Sequence, residues 1–160
     1  LMQEFCLRLC KLNGVDEKQE DTFKLKEPDL TDFFKMIVES ISSKVAFERL
    51  ARGPRQRADR VQRTLVSGEK VDIYTAILHG IADTGPTTQI EYEQLRASMR
   101  KVLSDKTPQS QEITRVINKM DEIAVNELEG EPVLDWDKET TKLYISDPFF
   151  AFYLKWKVKK

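Results

Sequence analysis

The chain has 160 residues, of which 40% are hydrophobic and 33% charged, and its formal net charge is −1. This composition is typical of one ordinary or two small folded domains and excludes an intrinsically disordered chain. No apolar run approaches the roughly 18 residues that a membrane-spanning helix requires, so we expect no membrane partner. The chain begins with Leu1 instead of an initiator Met, and we expect its natural N-terminus to lie upstream.

The first predicted element is a helix, because apolar residues recur at helical spacing from Leu1 to Leu12. Asn13-Gly14 predicts its end, since glycine readily adopts the left-handed conformation that follows a helix. Cys6 and Cys10 share its apolar face, which favours two small buried side chains over a zinc site. Reduced cysteines of this kind are typical of a cytoplasmic protein.

A second amphipathic helix is predicted after Pro28, because proline suits the first turn and the Asp29 carboxylate complements the helix dipole. Its apolar stripe begins at Leu30, reaches Ile41 and can continue to Leu50. Gly53-Pro54 then predicts a stop.

The segment from Lys44 to Arg63 is strongly basic, with seven basic residues against the two acidic residues Glu48 and Asp59. Such a stretch is a candidate contact for a polyanion, and it can equally pair with acidic surface elsewhere in the protein. We predict a short Arg-rich helix from Ala58 to Val66. We place a domain boundary at Gly68, which separates residues 1–68 from residues 69–160. The arginines of this basic stretch are Arg49, Arg52, Arg55, Arg57, Arg60 and Arg63.

Three more amphipathic helices are predicted in the second half. Apolar residues at helical spacing from Val71 to Ile81 indicate the first, and those from Tyr92 to Leu103 indicate the second. The third is predicted to begin at Thr107 as the N-cap, with Pro108 at the first helical position.

Strand-like composition appears after Pro132. Val133 to Trp136 and Lys142 to Ile145 predict a β-hairpin joined by a polar turn. Asp147-Pro148 then predicts a cap and the start of a closing aromatic helix. We expect most of its aromatic side chains to pack against the three helices, with a dimer or domain contact as the alternative.

Three helices, a hairpin and a closing aromatic helix is the element order of a winged helix. The segment from Pro132 to Trp156 resembles the C-terminal winged helix of AAA+/STAND-type P-loop ATPases, a group that includes archaeal ATPases and bacterial relatives. The segments that begin at Leu1 and Glu27 resemble helices of the lid that follows the ATPase core. The expected fold is therefore mainly α: a helical lid-like subdomain followed by a winged helix-turn-helix with a small β-hairpin wing.

The chain carries no catalytic motif that we recognise, and it lacks the glycine-rich phosphate loop that ends in Lys and Ser or Thr. The resemblance implies that ATP and Mg²⁺ bind to a parent ATPase core upstream of Leu1. This region is then non-catalytic, and the core is one of its partners. No metal site is predicted, because the acidic residues of the hairpin lack the spacing of a cation-binding loop.

The functional candidate is the outward face of the helix predicted at Thr107. Its polar side chains are of types that contact base edges or phosphates in the major groove of double-stranded DNA. Lys138 and Lys142 of the hairpin are further candidate phosphate contacts. The alternative is a protein-interaction or regulatory module that packs on the ATPase core or on another subunit, and a homo-oligomer is compatible with either. The helix candidates are Gln109, Ser110, Gln111, Thr114, Arg115, Asn118 and Lys119.

Overall fold

A computed structural model of the chain describes residues 1–22, 24–39, 43–54, 60–85 and 87–158. The described structure is mainly helical with small antiparallel sheets, which confirms the expected fold class at this coarse level. The chain divides into two compact units, Leu1–Ile41 and Ser42–Lys160. Within the described ranges, no helix is both long and apolar enough to cross a membrane.

The first unit contains helices α1 (Met2–Leu12) and α2 (Leu30–Glu39). The predicted end of α1 is confirmed, since Gly14 has a φ of 65° directly after it. The Asp29 carboxylate accepts the backbone N–H of Asp32 at 3.0 Å and so caps the start of α2. The two helices pack through Phe5 and Phe34, whose ring centroids are 5.5 Å apart.

The two cysteines of α1 differ from their prediction. Cys6 is exposed and Cys10 is half-buried, and both are free thiols. The prediction of two buried side chains is therefore wrong for Cys6. Even the stripe around Phe5 and Leu9 is only half-buried, and Cys6 lies beside that stripe.

The second unit opens with helix α3 (Ser43–Arg52), which ends at Gly53 with a φ of 65° as predicted. The proposed continuation of the preceding helix into α3 crosses residues 40–42, which lie outside the described residues.

The predicted Arg-rich helix from Ala58 to Val66 is wrong in its described part. Gln62–Thr64 forms strand β1, which pairs antiparallel with strand β2 (Lys70–Asp72). Gly68 lies in the intervening turn, where its φ of 86° and its N–H bond to the Leu65 carbonyl reverse the chain. Gly68, where a domain boundary was predicted, thus lies in the turn of a hairpin inside the second unit. Ala58 itself lies outside the described residues.

The remaining elements of this unit begin with helix α4 (Ile73–Asp83), whose N-cap Asp72 accepts the Thr75 N–H at 3.0 Å. Its other helices and strands follow in chain order: β3 (Gln89–Glu91), α5 (Tyr92–Val102), α6 (Ser110–Asn126), β4 (Leu134–Asp137), β5 (Lys142–Ile145), α7 (Pro148–Tyr153) and a short π-helix (Leu154–Val158). Strands β3, β4 and β5 form one antiparallel sheet in the order β3-β5-β4. The predicted hairpin is confirmed, whereas strand β3 was not predicted.

Helix α6 begins two residues later than predicted, at Ser110 instead of Pro108. Its N-cap is Gln109, which has an extended backbone, and Thr107 and Pro108 belong to the approach to the helix. Pro108 is buried, so its ring contributes to packing instead of occupying the exposed first turn of a helix.

The core of this unit surrounds α4, which packs against α3, α5 and α6. Ile77, Leu78 and Ile81 of α4 are completely buried. Phe150 in α7 is also completely buried, and Phe152 and Tyr153 are nearly so, which confirms core packing for these aromatic residues. The Asp147 carboxylate accepts the Phe149 N–H at 2.9 Å, as the predicted cap requires.

Gly80 sets the approach of α5 to α4, and we expect Gly80→Ala to destabilise the protein. A Cβ at this position would lie 2.5 Å from the sulfur of the buried Met99. Overpacking a core costs about 1–3 kcal/mol, which exceeds the roughly 1 kcal/mol that alanine gains over glycine within a helix. Urea unfolding of Gly80→Ala, Met99→Ala and the double variant measures the coupling. A cost for Gly80→Ala that persists unchanged beside Met99→Ala would contradict this explanation.

Candidate functional site

A groove of about 1080 Å³ runs along the outward face of α6. Six of the nine predicted DNA-contacting residues line it, so the structure brings together most of the candidate set. The three others, Gln109, Lys138 and Lys142, are outside its lining among the described residues. The candidates that line the groove are Ser110, Gln111, Thr114, Arg115, Asn118 and Lys119.

The rest of the groove lining comes from residues that were not predicted from the sequence to form one site. Pro54 follows α3, and Arg60 and Val61 precede β1. Ile73 and Tyr74, in the first turn of α4, complete this wall. The face of α6 is thus one side of a concavity.

Arg60 connects three parts of the second unit. Its Nη1 donates to Oδ2 of Asp72 at 2.6 Å and to the carbonyl of Arg52 at 2.8 Å. Its guanidinium carbon lies 4.7 Å from the centre of the Tyr74 ring, which is cation–π geometry. The Arg60 and Asp72 side chains are only 13% and 18% exposed, so this pair is screened less than a surface ion pair.

Two further arginines of the basic stretch pair with carboxylates of α6 and the residue that follows it. Arg63 in β1 donates to both oxygens of Glu112, at 2.9 and 3.1 Å. Arg49 in α3 pairs with Glu127 and also donates to the Gly53 carbonyl at 2.7 Å. Internal pairing, the alternative to a polyanion contact, is therefore observed for these two arginines and for Arg60.

Of the other arginines of the basic stretch, only Arg52 lies among the described residues. Arg52 is exposed, and Arg55 and Arg57 lie outside the described residues.

The cations of α6 itself differ in their pairing. Lys119 forms an ion pair with Glu122, three residues further along the helix. Arg115 is exposed to the groove and has no ion pair among the described residues. Arg115 is thus the groove's available positive charge.

Several cations of the groove act on the phenol of Tyr74. Burial raises the pKa of its phenol, while Arg60, Arg115 and Lys119 act to lower it. Three cations from two sides of the groove therefore act on one buried ring. The ring also lies against Gly53, where a Cβ would approach its carbons to 3.0 Å.

The hairpin carboxylates are partly structural. Asp137 Oδ1 accepts the Glu139 N–H at 2.9 Å, and its Oδ2 accepts the Thr140 hydroxyl at 2.6 Å. These bonds lower the pKa of Asp137 and hold the four-residue turn in which Thr141 has a φ of 52°. The described residues contain no group of three or more His, Cys, Asp or Glu side chains that could hold a metal ion.

Asp121 joins α6 to the hairpin. Its Oδ1 accepts the backbone N–H of Trp136 in β4 at 3.1 Å. Burial raises the pKa of Asp121, and the neighbouring Asp135 carboxylate adds to the rise. This hydrogen bond is one of the contacts between the hairpin and the groove-lining helix.

Sequence reasoning missed Asp72, Tyr74 and Val61. A detectable signal existed for Asp72, because an aspartate before an apolar helical run is typical of an N-cap. Nothing local indicates that Tyr74 and Val61 face α6, since their positions depend on contacts between distant segments.

Comparison with known protein families, with curated proteins and with solved structures finds no match to this chain.

The raised pKa of Asp121 predicts an unusual pH dependence for the Asp121→Asn variant. The ionised carboxylate is less stable in the folded protein than in the unfolded chain, so its penalty is present above the folded pKa. We expect Asp121→Asn to melt at a higher temperature than the parent at about pH 7. The difference should vanish at about pH 3, where the carboxyl is neutral in both states.

Asp137→Asn is the control for this measurement, because the pKa of Asp137 is lowered. Its carboxylate stabilises the fold above the unfolded pKa, so its replacement should lower the melting temperature at about pH 7. Equal shifts of the same sign in both variants would show an effect of net charge alone and would refute the assignment.

Proposed function

We propose that residues 73–153 form a winged helix in which α6 occupies the position of the recognition helix and β4–β5 is the wing. The chain order α4-β3-α5-α6-β4-β5 and the sheet order β3-β5-β4 support this proposal. Strand β3, between the first two helices, supplies the third strand that such a sheet needs. The Asp147-Pro148-Phe149 cap, directly after β5, agrees with the resemblance to AAA+/STAND-type ATPases.

On this basis we infer that the chain is the non-catalytic C-terminal part of such an ATPase. ATP and Mg²⁺ would bind to the upstream core, and the two helices of the first unit would belong to the lid. The sequence of the gene upstream of Leu1 provides the simplest test. Absence of a Walker-type phosphate loop within several hundred residues before Leu1 would contradict this proposal.

Within that framework, the groove along α6 favours a protein-interaction or regulatory module. A helix that reads DNA must protrude to enter the major groove, whereas α6 forms one wall of a concavity. Apolar side chains from Val61, Ile73 and Tyr74 line the opposite wall. This concave surface is the observation on which the proposed function rests.

The charge balance points the same way. Phosphate contacts dominate DNA affinity and require cations that are not already paired. Four candidate cations on α6 and the hairpin stand among six carboxylates on the same two elements. These cations are Arg115, Lys119, Lys138 and Lys142, and the carboxylates are Glu112, Asp121, Glu122, Asp135, Asp137 and Glu139.

Contact with double-stranded DNA is the second candidate function. Arg115 favours it, because its guanidinium is exposed beside Gln111 and is not engaged by any described carboxylate. Arginine and glutamine are residue types that pair with guanine and adenine edges.

Arg115→Glu in the full-length ATPase tests the primary proposal. We expect a several-fold change in ATPase rate, because a module that packs on the core or on another subunit through this groove would lose its contact. Arg100→Glu is the matched control, since Arg100 is exposed on α5 outside the groove lining. Equal effects of the two variants on the ATPase rate would contradict a groove contact.

Fluorescence anisotropy with a labelled DNA duplex tests the second candidate. A protein contact predicts only weak binding at low salt, lowered equally by Arg115→Glu and Arg100→Glu through their charge. Tight binding that falls steeply with salt and is lost specifically in Arg115→Glu would instead support DNA contact and overturn the primary proposal.

A further inference from the structure

We propose that the α6 groove binds an acidic, apolar segment of a partner protein, which buries its apolar side chains against Val61 and Tyr74 and places a carboxylate at Arg115. The inference rests on the proposed function as a protein-interaction module. It adds the chemistry of the bound segment and the residues that select it.

The apolar wall supplies the driving force for such binding. Val61 is 61% exposed, whereas Ile73 and Tyr74, which line the same groove, are buried. Removing exposed apolar surface of this kind from water is favourable, and the residues at the centre of an interface contribute most. A polar segment would gain nothing from this wall.

The charges that line the groove favour a bound segment with negative charge. Arg60 is paired with Asp72 and Lys119 with Glu122, whereas Arg115 has no partner among the described residues. A carboxylate of the bound segment can therefore form an ion pair with Arg115 without breaking an ion pair inside the protein. A basic segment would be repelled by the three cations of the groove. It could reach Glu112 and Glu122 only by displacing their present partners, Arg63 and Lys119.

The size and shape of the groove favour a peptide segment over a small molecule. Pockets for small molecules typically enclose most of the ligand's surface. The α6 groove, of about 1080 Å³, instead lies open along the helix from Ser110 to Glu122. An amphipathic helix that presents apolar side chains every third or fourth residue matches such a groove.

Selection of random peptides of about twelve residues, displayed on phage, against the full chain tests the inference. We expect enriched sequences to combine aromatic or aliphatic residues at helical spacing with Asp or Glu. Backbone amide NMR shifts of the chain on adding a selected synthetic peptide should concentrate at Val61, Tyr74 and the outward face of α6.

Two matched pairs of variants make the test specific. Val61→Ser should weaken a selected peptide several-fold, whereas Val66→Ser, at a 66% exposed valine outside the groove lining, should leave its affinity unchanged. Arg115→Glu should reverse the charge preference of newly selected peptides, whereas Arg100→Glu should not. Both members of each pair are exposed, so melting temperatures close to that of the parent are expected and are measured first.

Failure of this inference and failure of the proposed function give different results. Selected peptides that bind equally to Val61→Ser and Val66→Ser would place the site elsewhere and overturn only the inference. Enrichment of basic peptides, or no enrichment above a carrier-protein control, would also overturn it. Salt-sensitive DNA binding that depends on Arg115 would overturn the proposed function together with the inference.

Discussion

Three arginine–carboxylate pairs connect α3, Arg60 and β1 to α4 and α6. Arg60 pairs with the N-cap of α4, Arg63 with the first turn of α6, and Arg49 with Glu127 just beyond the end of α6. The Arg60–Asp72 and Arg63–Glu112 pairs flank Val61 in the chain and help to hold this part of the groove wall beside α6. The side chains of the Arg60 and Arg63 pairs are mostly buried, so removing one partner leaves a charge that water cannot fully solvate.

Because of these pairs, the basic stretch offers less free positive charge than its sequence suggests. In the sequence, seven cations lie close together against two carboxylates, which is typical of a polyanion contact. In the structure, Arg49, Arg60 and Arg63 are matched by carboxylates that lie 12 to 78 residues further along the chain. A cluster of basic residues in a sequence therefore overestimates the positive charge at the protein surface when carboxylates from distant parts of the chain pair with it.

Elements with a strong local signal were predictable, and those that depend on distant partners were not. Helix α4 and the β4–β5 hairpin follow from periodicity, and Asp147 from its capping chemistry. Strand β3 has three residues, and its one buried side chain, Ile90, gains a partner only from Leu143 across the sheet. The α6 face was foreseen because helical spacing specifies which residues point outward together. The opposite wall depends on tertiary contacts, which no local pattern specifies.

Some residues that line the groove can be replaced without disturbing the fold, and others cannot. Arg115 and Val61 are exposed, and among the described residues neither side chain forms an ion pair, so their replacement tests the surface alone. Arg60 and Tyr74 serve both purposes, because Arg60 engages the α4 cap and the α3 terminus while Tyr74 fills the space beside Gly53. Loss of binding after a change at Arg60 would thus combine a lost contact with a displaced wall. Partner selection therefore depends on Arg115 and Val61, which the fold does not require. The shape of the groove depends on Arg60 and Tyr74, which the fold does require.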